Sequence, residues 1–380
     1  PYEIIDSPQH RALALRAARE SMVLLKNKDD LLPLPKDTGS IAVVGPNADH
    51  LSVLMGNYNG TPAEAVTPLE GIRKKLSPAT KLYYAQGCGL VEGTPPLEVV
   101  PSAFLRPEEA DAVATGLTAS YYSNADYSGE PALIQVDRAV DFIWKDTTPL
   151  TGLSADAFSI RWTGYLVPPV SGRYRLAVDA CSGYKLYLDG ELLVEYHSIH
   201  HPALRSKEVE LEAGRFYPLR LEFFSHGLDP QARLLWARPD VDYETSALEA
   251  AGKADVIVAV MGISPRLEGE EMPVKVDGFE GGDRTSIGLP RLQEEFLKKL
   301  HGMGKPVALV LLNGSALAVT WAAEHIPAIV EAWYPGQAGG DALADVLFGD
   351  YNPGGRLPVT FYRSVDDLPP FNDYRMEGRT

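Results

Sequence analysis

The chain has 380 residues, 45% hydrophobic and 23% charged, a soluble composition with room for two or three domains. Its 35 Lys and Arg against 51 Asp and Glu give a formal net charge of −16, which makes nucleic acid and anionic membranes poor partners. No run approaches the roughly 18 apolar residues of a membrane-spanning helix, and the opening PYEIIDSPQH lacks the basic and apolar regions of a signal peptide.

In chain order, Ser7 to Leu25 place Leu13, Ala17, Met22 and Leu24 among Arg11, Arg16 and Arg19. Ser7 and Pro8 supply an N-cap and a first-turn proline, so the pattern predicts an amphipathic helix over 7–25. SIAVVGP then reads as a buried strand, TPLEGIRKKL as a helix opened by Thr67 and Pro68, and KLYYAQG as a strand. The pattern resumes later. TSALEAAGKA, LPRLQEEFLKKLHGM, LAVTWAAEH and GGDALADVLFG read as helices, alternating with the strands DVIVAVMG, PVALVLL and AIVEAWY. Such alternation predicts a mostly parallel sheet covered on both faces.

Between these stretches, from about Gly116 to Asp240, the sequence turns aromatic and β-branched. Runs such as FSIRWTGYLV, GRYRLAVDA and FYPLRLEFFS are separated by turn residues at a spacing of roughly 10, the pattern of a β-sandwich or barrel. GTPPLEVVPSAFLRPEEAD reads as the entry linker and PDVDYETS as the exit. The expected division is therefore a discontinuous α/β domain, 1–108 with 241–380, interrupted by an all-β domain at 109–240. The helix-like start and the stop at DYRMEGRT, with no closing element, suggest a piece of something longer.

No stretch matches G-x-x-x-x-G-K-[ST], and QGCGLVEG misses the dinucleotide spacing by one residue, so no nucleotide cofactor is expected. Cys88 and Cys181 form no metal-ligand spacing. His197, His200 and His201 near Glu195 fit no zinc signature and read as a solvated hairpin. NGSAL lacks the G-x-S-x-G elbow, which makes Ser315 a strand-end turn residue rather than a nucleophile. The glycines of WYPGQAGG are better read as a tight strand-to-helix turn than as an anion cradle.

The acidic loop is different. RLEGEEMPVKVDGFEGGDR puts Glu268, Glu270 and Glu271 within four residues, directly after the strand DVIVAVMG. A solvated acidic face is the ordinary reading of such a cluster. Loops at strand carboxyl ends of open α/β sheets are, however, where ligands bind.

The ordered set RESMVLLKN, LLPLP, IAVVGPNA, KLYYAQGCG, ADVIVAVMG, GGDRTSIGLPRLQ and WYPGQAGGDALADVLFGDYNPGGRLPVTF resembles the second, α/β-sandwich domain of glycoside hydrolase family 3. The segment through GLTASYYSN, FSIRWTGYLVPPVSGRYRLAV and YLDGELLVEY is similar to a PA14 domain. The expected fold class is thus α/β, a mostly parallel α/β sandwich interrupted by an all-β, PA14-like insert.

The resemblance implies an exo-acting, retaining β-glycosidase, a β-glucosidase before a β-xylosidase, with a β-glucoside or β-xyloside oligosaccharide as substrate. It implies that the loop after DVIVAVMG carries the general acid/base. That role falls on Glu270, after Gly269, with Glu268 as runner-up. Glu268 and Glu271 are expected to disfavour ionisation of Glu270, as an acid requires. The partners implied are two domains of the same protein absent from this chain, a TIM barrel with the aspartate nucleophile and a fibronectin-like domain. No cofactor and no metal are implied. Where other PA14-like modules carry adjacent aspartates this one reads DACSGYKL, which argues against calcium-dependent sugar binding there. The substrate class implies a periplasmic or secreted location. A carbohydrate-binding or scaffold protein on the same folds is the alternative without chemistry.

Overall fold

Apolar strands and amphipathic helices alternate through the outer parts of the chain. They are α1 (Pro8–Ser21), β1 (Val23–Asn27), β2 (Ser40–Val44), α2 (Pro68–Lys75), β3 (Lys81–Ala85), α3 (Tyr243–Lys253), β4 (Val256–Gly262), α4 (Arg291–Gly302), β5 (Val307–Leu312), α5 (Thr320–His325), β6 (Ala328–Glu331) and α6 (Gly339–Leu347). The computed structural model describes residues 4–108, 113–144, 147–150, 153, 157–227, 229–370, 372–375 and 377. It divides into two compact units, Pro1–Pro96 with Tyr243–Thr380, and Leu97–Asp242.

In the first unit one sheet runs in the order β1-β6-β5-β4-β2-β3. All pairs are parallel except β1 on β6. Every residue of β2, β4, β5 and β6 is buried, as expected for strands covered on both faces. From β2 the chain steps to β3 on one side, and β4 then lies on the other side of β2. The carboxyl ends of β2 and β4 therefore flank a topological switch point, where an open sheet leaves a crevice for ligands.

Close packing of helices sets part of this frame. A Cβ on Gly71 of α2 would stand 2.0 Å from the carbonyl oxygen of Gly340 in α6, and a Cβ on Gly340 2.0 Å from that of Thr67. The two helices approach backbone to backbone. The WYPGQAGG glycines thus serve a tight turn and this contact. Thr67 caps α2 by accepting the Glu70 N–H at 3.3 Å and donates to Asp49 at 2.7 Å.

The predicted first helix is corrected at its end. It stops at Ser21, Met22 is extended, and Val23–Asn27 pairs antiparallel with β6, Val23 facing Glu331. Helical periodicity runs on through MVLL, but the open edge of β6 offers these residues a ladder of backbone hydrogen bonds, and that pairing prevails. Among the described residues no helix is long and apolar enough to cross a membrane.

Among the described residues every strand pair of the second unit is antiparallel. Its long strand Gly172–Leu188 pairs with Gln231–Ala237 over its first half and with Tyr217–Ser225 over its second. The change of partner falls at Ser182, whose φ of 85° lies in the left-handed region. Trp162, Trp236, Tyr174, Tyr184, Phe158 and Phe223 fill the core. Buried Asp137 accepts from Tyr121 at 2.6 Å, Trp162 Nε1 at 2.8 Å and Gln135 at 2.8 Å, so the polar tips of two core aromatics are satisfied. This unit begins at Leu97 rather than at 109, because Glu98–Val99 pairs with Leu235 and Trp236 inside its sheet.

Candidate active site

The acidic loop leaves β4 at Gly262, whose φ is 129° and whose Cβ, if present, would stand 2.0 Å from the Leu312 carbonyl oxygen of β5. Only glycine fits this exit. Buried Gln293 of α4 clasps it, Oε1 accepting the Gly262 N–H at 2.9 Å and Nε2 donating to the Gly262 carbonyl at 2.7 Å. Asn47, just beyond β2, donates from Nδ2 to the Ile263 carbonyl at 3.1 Å. The loop thus starts from two fixed side chains.

Beyond Glu268 the chain is not irregular. Lys275–Val276, Phe279–Glu280 and Asp283–Arg284 form a three-stranded ribbon, which short apolar content and several glycines conceal in the sequence. It is tied to the first turn by the Gly269 N–H to the Gly282 carbonyl at 3.1 Å and the Met272 N–H to the Gly281 carbonyl at 2.9 Å.

Glu268 and Glu270 sit in opposite surroundings. The Glu268 carboxylate accepts from the Gly314 N–H at 2.9 Å, the Ser315 hydroxyl at 2.5 Å and the Tyr334 hydroxyl at 2.6 Å. Asn57 Nδ2 donates to its backbone carbonyl at 2.9 Å. Arg284 extends this clamp, donating from Nη1 to Ser315 Oγ at 3.1 Å and to the Ala316 carbonyl at 2.8 Å. Burial depresses the Arg284 pKa, and the Glu268 charge opposes that shift. Burial and the charge and hydrogen bond of Glu268 hold the Tyr334 phenol protonated, as a donor must be. Glu270 is exposed, and among the described residues its Oε2 accepts one hydrogen bond, from Tyr58 at 2.6 Å. That bond and the Glu270 charge raise the Tyr58 pKa. Glu271 is exposed with φ 47°.

Tyr58, Gly314, Ser315, Tyr334 and Arg284 were not legible as site residues. Each follows β2, β4, β5 or β6 at its carboxyl end, and that shared edge becomes visible only with strand order. Ser315 stands at a strand end as expected, with its hydroxyl committed to Glu268. Among the described residues no group of His, Cys, Asp and Glu could hold a metal ion. His197 packs edge-on against Phe224, while the side chains of His200 and His201 lie outside those described. Burial pushes the Cys88 and Cys181 thiols up to about 12 and about 11, so neither is a ready thiolate.

A mostly parallel sheet interrupted in sequence by an antiparallel unit, with a carboxylate-bearing loop at its switch point, defines an α/β domain of the open-sheet class. The chain belongs to a family within that class, described as Glycosyl hydrolase family 3 C-terminal domain, whose profile matches residues 22–380. It is 36% identical over 394 aligned residues to a protein of Xylanibacter ruminicola named Xylan 1,4-beta-xylosidase, covering 100% of this chain and 44% of that one. It is 31% identical to a Rhizobium radiobacter protein named Beta-glucosidase, covering 97% of this chain and 44% of that one. A crystal structure of a beta-glucosidase from Kluyveromyces marxianus in complex with glucose aligns with a TM-score of 0.65 and 26% identity, over 98% of this chain and 45% of that chain. The chain thus spans less than half the length of these relatives.

Proposed function

We propose that this chain is the acid/base-bearing part of an exo-acting, retaining β-glycosidase that releases terminal β-linked glucose, with Glu270 as the acid/base. The contrast between the two carboxylates carries the assignment. An acid/base has to reach solvent and substrate and exchange a proton in each half-reaction. Glu270 is exposed on the switch-point loop with the Tyr58 phenol beside it, whereas Glu268 is spanned by three donors that fix it as an acceptor. Retention also needs a second carboxylate roughly 5 Å away as nucleophile. We assign it to an aspartate on a TIM barrel outside this chain, with a fibronectin-like domain as a further part of the same protein. A β-xylosidase is the second reading, favoured by the higher identity to the relative named for xylan, 36% against 31%. The antiparallel unit fits a PA14-like module. A periplasmic or secreted home suits a substrate too polar to reach a cytoplasmic enzyme unaided.

The experiment is made on the complete polypeptide with aryl β-glucosides and β-xylosides of graded leaving-group ability. Glu270→Ala is expected to lower kcat/KM about 10²- to 10⁴-fold for poor leaving groups, much less for activated ones, and to regain turnover with azide. Azide rescue of Glu268→Ala instead would move the role to Glu268. Unaltered kinetics in Glu270→Ala would take the acid/base role from Glu270, and only a complete polypeptide with no activity on any of these glycosides would leave the non-catalytic, carbohydrate-binding reading.

A further inference from the structure

Behind the loop lies a second carboxyl that the proposed chemistry does not use. Glu331, the last residue of β6, is 0% exposed, and so is Asn313, which follows β5. Glu331 Oε1 accepts the Trp333 N–H at 3.0 Å and Oε2 accepts Asn313 Nδ2 at 3.2 Å. Asn313 Nδ2 also donates to the Ser315 carbonyl at 3.0 Å, while its Oδ1 is buried without a hydrogen-bond partner. The pair therefore bridges the two strand ends from which Gly314, Ser315 and Tyr334 reach Glu268. Burying a carboxyl with no cation against it costs stability. Lys26 of the facing strand β1 turns instead to the Ala323 carbonyl at 2.6 Å. Among the described residues the influences on the Glu331 carboxyl are burial, the Trp333 N–H and the Asn313 amide, none of them a charge. Burial pushes the Glu331 carboxyl up to about 8. In the protonated form it also brings a donor into a cluster that holds an unmatched acceptor, Asn313 Oδ1.

We propose that Glu331 is a positioning residue: paired with Asn313, it holds the ends of β5 and β6 in the register that presents three donors to Glu268, and so fixes the loop on which Glu270 stands. The proposal rests on the assignment of Glu270 as acid/base. Ionisation of Glu331 places a charge under segments that already carry Glu268, and the register loosens.

The complete enzyme carrying Glu331→Ala tests this, with Asn313→Ala as a second variant in case the first does not fold and Glu331→Gln as the isosteric variant that cannot ionise. For aryl glycosides with poor leaving groups kcat/KM is expected to fall about tenfold or more at pH 6 in Glu331→Ala and Asn313→Ala, and to stay within about twofold of the parent's in Glu331→Gln, which keeps the donor and acceptor of the neutral carboxyl. With a dinitrophenyl leaving group, which needs no proton, the change is expected to stay within about twofold. Between pH 7 and 9 the alkaline limb measured with poor leaving groups is expected to change shape in Glu331→Gln, because the group that titrates there is gone. A folded Glu331→Ala with the parent's leaving-group dependence, or a Glu331→Gln with the parent's pH profile, would overturn the proposal. So would an equal loss on all substrates tracking a lower Tm, which is the mark of a merely structural role. The reading of Glu270 is separated by its own variant. If Glu270→Ala shows the leaving-group split and azide rescue while Glu331→Ala shows no leaving-group split, only the positioning role fails; if Glu270→Ala shows neither, the acid/base assignment falls first.

Discussion

Glu268 and Glu270 are two residues apart and of one chemical type, so only their neighbours can separate them. Tyr334 is the most informative neighbour. Tyr334→Phe keeps the ring and deletes one of the three donors to Glu268. A hydrogen bond to a charged group is worth about 1.5–3 kcal/mol. The expected outcome is a loss of about fivefold to tenfold in kcat on poor leaving groups, with KM little changed. A change in KM alone would show that Tyr334 serves substrate binding rather than the loop. Tyr58→Phe probes the other carboxylate and is expected to have a smaller effect, since that hydrogen bond is exposed. The position of the acidic loop was legible because three carboxylates after an apolar strand are unusual. The donors were not legible, since a tyrosine in NYNG or WYPG has no periodicity and reaches its partner only through the order of strands.

At the scale of elements, the continuous apolar runs of β2, β4, β5 and β6 could be read directly, since strands buried on both faces leave no alternation to misjudge. Edge strand β1 could not. Its burial pattern is mixed, and the preceding helical period runs into it without a break. The contact of α2 with α6 shows what glycine does between helices. Gly340→Ala forces a Cβ to within 2.0 Å of the Thr67 carbonyl oxygen, backbone that cannot rotate aside. A loss of about 1–3 kcal/mol is expected for such overpacking, read as a lower urea midpoint with unchanged m. The same helices share an ion cluster. Asp345 of α6, 2% exposed, accepts from Arg19 Nε at 2.6 Å and pairs with Lys75, which also reaches Asp350 at 2.8 Å. Asp345→Asn removes the charge and leaves two cations that are partly solvated. It is expected to cost roughly 1.5–3 kcal/mol, in a measurement made at low salt. A neutral result would show that hydration of Arg19 and Lys75 fully replaces the pair.

For the whole molecule, two groups set opposite limbs of stability against pH. Asp350, held down to about 2 by Lys36 and Lys75, contributes stability that is present above its ordinary 3.8 and lost as pH falls through 2. Glu331 acts in the other direction. Its folded value of about 8 lies above the ordinary 4.5, so the native state binds the proton more tightly. Its contribution is complete below pH 4.5 and is lost as pH rises through about 8. The urea midpoint is therefore expected to decline from pH 5 to 8, and Glu331→Gln to flatten that decline. Parallel curves for parent and variant would refute it.

The two units also predict how the chain comes apart. Residues 97–242 carry their own core, with Trp162 and Trp236 fully buried and Trp144 9% exposed. Asp137 satisfies Tyr121 and Trp162 from within the same unit. At this size, and with this many buried aromatics, a single core is large enough to fold alone. The isolated piece is expected to show blue-shifted indole emission and one cooperative urea transition, and the intact chain a second transition reported by Trp321 and Trp333 of the other unit. Those two indoles lie partly exposed, so the signals separate by wavelength. Red-shifted emission and a sloping melt from residues 97–242 would show that the unit depends on the α/β unit to fold, and that the intact chain is one cooperative body.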